Sequence, residues 1–124
     1  MPAPEPLRGQ RIVADPTVID AAAAALPAGT VLLRFAPDEA LLVGGGLQGL
    51  APDAIVEDEV GFVALTVDRD VVARHTEWSL PIEVGAFAQG SIAGVPAKLA
   101  WLPDGRARVV AYAAYVAELS DRLT

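Results

Sequence analysis

From Ala86 to Leu123 the chain reads AFAQGSIAGVPAKLAWLPDGRARVVAYAAYVAELSDRL. Two apolar runs, Val95 to Leu102 and Ala107 to Val110, flank Pro103-Asp104-Gly105, and Asp-Gly between apolar runs is a strong short-range hairpin signal. Beyond the second run the period changes. Tyr112, Tyr115, Val116, Leu119 and Leu123 fall at i, i+3, i+4, i+7 and i+11, one apolar stripe of a helix, with Glu118, Asp121 and Arg122 on the other side. Glu118 precedes Arg122 by one helical turn, the favoured order for a surface ion pair. The segment therefore predicts strand, tight turn, strand, helix.

Upstream, Asp15-Pro16 supplies an N-cap and a proline at the first helical position, so a helix is expected from there through Leu26, stopped by Pro27-Ala28-Gly29. Residues 1–14 read as a flexible lead-in with a short strand at Arg11 to Ala14. Thr30 to Phe35 and Ala40 to Val43 read as strands joined through Ala36-Pro37-Asp38-Glu39, with proline where a turn needs φ near −65°. A glycine-rich link, Gly44 to Pro52, leads to a short strand at Ala54 to Glu57 and a β-rich run at Gly61 to Val67. Asp68 stands where it can cap a helix running to about Trp78, with Val71, Val72, His75 and Trp78 on one face and Pro81 closing it. The order strand, helix, strand, strand, helix predicts an α+β domain over residues 15–124: a mostly antiparallel sheet with helices on one face, in a split βαβ (ferredoxin-like) arrangement.

The 124 residues, 53% of them hydrophobic, suit one domain with a real core, and no apolar run approaches the ~18 residues of a membrane span. There is no cysteine, so no disulfide framework. The polar, proline-rich start MPAPEPLRGQ offers no apolar segment to act as a leader, and a cytoplasmic location is expected. Sixteen acidic against nine basic residues give a net charge of −7, which opposes nucleic acid and anionic membrane surfaces as partners.

Few residues suggest chemistry. Gly44, Gly46 and Gly49 match G-x-G-x-x-G with Asp68 downstream, but Pro52 and the short link leave no room for the helix whose N-terminus must meet a pyrophosphate. Glu57, Asp58 and Glu59 could ligate a hard cation only if the chain turns there, since strand residues alternate in direction. A solvated loop or a protected edge explains them more simply, as capping explains Asp68 and Asp70. His75 is the only histidine and Lys98 the only lysine. Nucleophilic catalysis would have to draw on Ser79, Ser91, Ser120 or a threonine with His75 as base, and His75 beside Trp78 reads instead as a packed core-edge residue. One histidine and no cysteine leave no zinc set. Trp101, ending a strand beside a turn, is the aromatic expected to face a partner.

Three stretches, LRFAPDEALLVG (Leu33 to Gly44), AIVEDEVGFVALTVDRDVVARHTEWSLP (Ala54 to Pro81) and the segment from Phe87 to Leu123, together resemble the gamma subunit family of heterotetrameric sarcosine oxidase, similar in fold to the folate-binding domain of the glycine cleavage T-protein. The family's Pro-Asp-Glu turn falls on Pro37, Asp38 and Glu39, its strand, helix and Leu-Pro segment on Phe62 to Pro81, and its Phe-Gly pair on Phe87 and Gly90. The opening of the final helix falls on Tyr115-Val116-Ala117. The resemblance implies a noncatalytic accessory subunit that packs against a larger flavoprotein subunit or self-associates, with no cofactor, metal or catalytic residue of its own. The alternative is a small-ligand, folate-like binding module, in which Arg34, Arg74 and Lys98 would have to converge on an acidic ligand.

Overall fold

The computed structural model describes residues 3–46, 49–80 and 87–123. In chain order the elements are β1 (Glu5–Pro6), β2 (Gly9–Val13), α1 (Pro16–Ala24), β3 (Val31–Ala36), β4 (Glu39–Val43), β5 (Ile55–Glu59), β6 (Phe62–Asp68), α2 (Arg69–Arg74), β7 (Phe87–Ile92), β8 (Val95–Trp101), β9 (Arg106–Tyr112) and α3 (Ala113–Arg122). The α+β class and the antiparallel pairing hold throughout. The strands, however, divide between two sheets, ordered β1-β6-β9-β8-β7 and β3-β4-β2-β5. In the first, β9 lies between β6 and β8, and the two antiparallel ladders make β6 and β8 run parallel, the split pair expected; β7, which was not expected, follows α2 and adds an antiparallel edge strand beyond β8.

Strand alternation sorts the apolar residues into three layers. Ile12, Ala40 and Leu42 meet Ile19 of α1 on one face of the four-stranded sheet. Leu33, Phe35 and Leu41 on its other face meet Phe62, Ala64 and Val110 of the five-stranded sheet. The far face of that sheet, including Leu65, Leu99, Trp101 and Val109, is covered by Val72 of α2 and by Val116, Leu119 and Leu123 at α3. The order is helix, sheet, sheet, helices.

Several expectations are corrected by packing. The lead-in at residues 1–14 contains two strands: β1 extends the first sheet, and β2 is an inner strand of the second, between β4 and β5, with Ile12 fully buried. Its close approach to β4 needs Gly9, where a Cβ would lie 1.8 Å from the Leu42 carbonyl oxygen. Helix α1 is capped by Asp15, whose Oδ1 accepts the Thr17 N–H at 3.0 Å, and it ends at Ala24 rather than Leu26. Helix α2 stops at Arg74, and Asp68 occupies its N-cap without a side-chain bond. Trp78 lies beyond that helix: its indole N–H donates to the Ser91 carbonyl at 2.8 Å, and its ring fills the space a Gly90 side chain would need. Of the α3 stripe, Val116, Leu119 and Leu123 are buried, whereas Tyr112, the last residue of β9, and Tyr115 are exposed. Pro81 and Ala86 lie outside the described residues.

Candidate functional site

The concentration of polar chemistry sits between the two sheets. Glu39, at the turn that opens β4, shares the inward face of its strand with Leu41, and Arg11 of β2 stands opposite Leu41. Arg11 donates through Nε to Glu39 Oε2 at 2.8 Å and through a second guanidinium nitrogen to the same oxygen. From the facing sheet, Lys98 of β8 donates to Glu39 Oε1 at 3.1 Å and to Gln89 Oε1 of β7 at 2.8 Å. Its Nζ also lies 4.8 Å from the centre of the Phe35 ring, a cation–π contact. Each carboxylate oxygen thus holds a cation from a different sheet. The Glu39 side chain is only 14% exposed. Burial pushes its carboxyl up, but the hydrogen bonds and charges of Arg11 and Lys98 prevail and hold it below the ordinary carboxylate range.

Beside this cluster an open groove of about 380 Å³ runs along the inner face of the five-stranded sheet. Gln89, Ser91, Pro96 and Lys98 line one flank, Val110, Phe62 and Tyr112 the other. The rings of Phe62 and Tyr112 stack with centroids 4.5 Å apart, and Phe35 meets Phe62 edge-on at 5.8 Å. Tyr112 is 48% exposed, so an aromatic face is offered to the solvent next to a positioned ammonium. Such a surface suits a flat apolar group more than bond-making, since Lys98 is already engaged by Glu39 and Gln89.

The residues singled out in the sequence do not assemble into one site. Arg34 pairs with Asp20 and donates to the Pro37 carbonyl, Arg74 borders a separate hollow with His75 and Trp78, and only Lys98 reaches the groove. His75 is the residue that ends α2, and its carbonyl accepts the Ala93 N–H at 2.8 Å. Among the described residues no side-chain hydrogen bond joins it to Ser79, Ser91 or Ser120; Ser120 is buried within α3. Glu57, Asp58 and Glu59 form the second half of β5, not a turn, so they alternate in direction, and no metal-holding cluster of His, Cys, Asp or Glu is found among the described residues. Gly44 and Gly49 adopt positive φ in the link between β4 and β5, with no helix among its described residues. Trp101, expected at the surface, is 6% exposed, with its indole facing the helices and Arg69 stacked 5.0 Å above its ring. The Arg11–Glu39–Lys98 cluster was not anticipated. A lone lysine in the apolar strand VPAKLAW was the available signal, because a buried-face charge demands a partner.

No protein-family model matches the chain, and no curated protein sequence does. Among solved structures, the chain resembles one chain of the heterotetrameric sarcosine oxidase from Corynebacterium sp. U-96, determined in complex with pyrrole 2-carboxylate. The TM-score is 0.71 at 16% identity, over 97% of this chain and 79% of that one. At that identity the likeness is one of fold, and the chain has a fold related to a sarcosine oxidase chain.

Proposed function

We propose that the protein is an accessory, noncatalytic subunit, or a standalone relative of one, in a cytoplasmic flavin amine oxidase complex of the sarcosine oxidase kind, acting through contacts with a larger flavoprotein subunit. The observation that carries this reading is the extent of the fold likeness: nearly all of this small chain superposes on most of a chain taken from a heterotetramer. The matched chain is therefore of comparable size, too small to be a large flavin-bearing subunit. A sequence with one histidine, one lysine and no cysteine accords with a structural role. The test is tagged purification from the native cell, followed by size-exclusion chromatography with flavin absorbance. Co-elution with a flavoprotein is expected; a monomer that elutes without flavin at every salt concentration would overturn the reading.

The groove supports a second reading, a binding module for a flat heteroaromatic acid, with Tyr112 as stacking surface and Lys98 and Gln89 as polar contacts. Titration with tetrahydrofolate tests it. A rise in melting temperature that Tyr112→Ala abolishes would favour this role, and no rise at millimolar ligand would dismiss it.

A further inference from the structure

Strand β5 ends the four-stranded sheet, with β2 on one side and no strand on the other among the described residues. Its ladder to β2 is regular through five pairs, from Val13 with Ile55 to Gly9 with Glu59, without a bulge or a proline. Alternate residues of such a strand turn their N–H and C=O groups outward, ready to pair. The same strand exposes apolar side chains: Ile55 is 54% exposed, Val56 38% and the following Val60 68%. Its second half, Glu57-Asp58-Glu59, is uniformly acidic. Glu57 stands across the ladder from Arg11.

The charge pattern decides what can occupy this edge. Two copies of β5 paired antiparallel about their centre would set Glu57 directly against Glu57, with Asp58 opposite Val56 and Glu59 opposite Ile55. Parallel in-register pairing would stack all three acids on their counterparts. Like charges directly opposite destabilise a ladder, so the acids repel a second copy while leaving the backbone edge open to a cationic strand. We infer that the β5 edge is a strand-addition site for a partner protein whose antiparallel strand reads basic, then apolar, from its N-terminus. Its cations would meet Glu59, Asp58 and Glu57, and its apolar residues would meet Val56 and Ile55. Resting on the subunit reading above, this names the surface through which that docking occurs.

The probe is an acetylated, amidated peptide TKRKVIT, compared with the acidic control TEDEVIT, on the intact protein. Binding of the basic peptide is expected to weaken with added salt and to slow amide hydrogen exchange at alternate residues of β5. The acidic peptide should bind at least about tenfold more weakly, as like-charge juxtaposition requires. Asp58→Lys and Val56→Lys, both at exposed positions and checked for an unchanged melting temperature, should each weaken the basic peptide by a similar factor. Equal binding of the two peptides, protection away from β5, or no binding would overturn the inference. Co-elution with a flavoprotein that both variants leave intact would also overturn it while leaving the subunit reading standing. Peptide binding at β5 without any flavoprotein partner would do the reverse.

Discussion

Glu39 is the residue on which the two sheets converge, and it gives the chain an identifiable acid sensitivity. Its carboxyl titrates below the ordinary value of 4.5 in the folded chain, so its stabilising contribution is complete above that pH and is lost as pH falls through the lower folded value. Replacing Glu39 with Gln leaves Arg11 and Lys98 without their shared counter-charge and is expected to cost about 2 kcal/mol at neutral pH, about 8 °C in melting temperature. The wild type should then lose stability more steeply than Glu39→Gln on acidification below 4.5, the two curves converging in acid. Asp15 and Asp104 are also lowered, by the N–H groups of Thr17 and Arg106, but they are common to both proteins and cancel in the difference. Parallel curves in denaturant titrations at each pH would refute the role given to Glu39. Gly9 is a second single-residue constraint, of steric origin. With a Cβ only 1.8 Å from the Leu42 carbonyl oxygen, the backbones of β2 and β4 must separate, so Gly9→Ala should destabilise by about 3 kcal/mol. A change below about 0.5 kcal/mol, the usual surface range, would mean that the strands relax at little cost.

Among the elements, the two hairpins of the five-stranded sheet contrast in how their turns are built. Between β8 and β9, the Gly105 N–H donates to the Leu102 carbonyl, Asp104 accepts the Arg106 N–H, and glycine takes φ of 86°. The residue types suit the geometry. Between β7 and β8, Ile92 pairs with Val95 across a two-residue turn in which Ala93 has φ of 51° and Gly94 of 80°. Two positive φ values are those of a type I′ turn, where alanine is a poor choice at the first position. Ala93→Gly should therefore stabilise the protein by about 0.5 kcal/mol despite the lost methyl packing, whereas Gly94→Ala, strained and 3.1 Å from an Arg122 nitrogen, should destabilise it. Thermal denaturation of both variants checks the pair, and a loss of stability in Ala93→Gly would count against the strain. The contrast also explains what could be read from the sequence. Pro103-Asp104-Gly105 and Asp15-Pro16 act through bonds to residues two or three positions away, so those elements were legible. Ala93-Gly94 carries no such signature, and β7 went unseen with it. Trp78 continues the helical spacing of Val71 and Val72, but its contacts with Gly90 and Ser91 lie on another strand and draw it out of the helix. Trp101 is buried because it shares the face of Val95, Ala97 and Leu99 that α2 and α3 cover, and alternation alone does not tell that both faces of the strand will be covered. For the same reason Arg11, Glu39 and Lys98, carried on three strands far apart in the chain, gave no local sign of meeting.

At the scale of the whole molecule, the question is whether two sheets, each with its own helical cover, fold as one body. The interface between them is apolar at Leu33, Leu41, Val110 and the Phe35–Phe62 pair, and polar where Glu39 joins Arg11 to Lys98. Phe35 belongs to the four-stranded sheet and Phe62 to the five-stranded one, so their edge-to-face contact at 5.8 Å reports directly on sheet docking. Both rings are about fully buried, and Phe→Leu at either site is expected to cost about 1–2 kcal/mol from lost contact area. In a double-mutant cycle the two changes should couple by about 1 kcal/mol, because removing either ring already abolishes the aromatic pair. Each variant should still unfold in a single transition with probes in both sheets coincident, since neither sheet can keep its inner face buried without the other. Additive effects, or a variant in which the four-stranded sheet melts before the five-stranded one, would show instead that the sheets are separate cooperative units. That outcome would also change where strength is expected in an assembly, because a partner strand on β5 would then stabilise the four-stranded sheet without reaching the five-stranded sheet behind it.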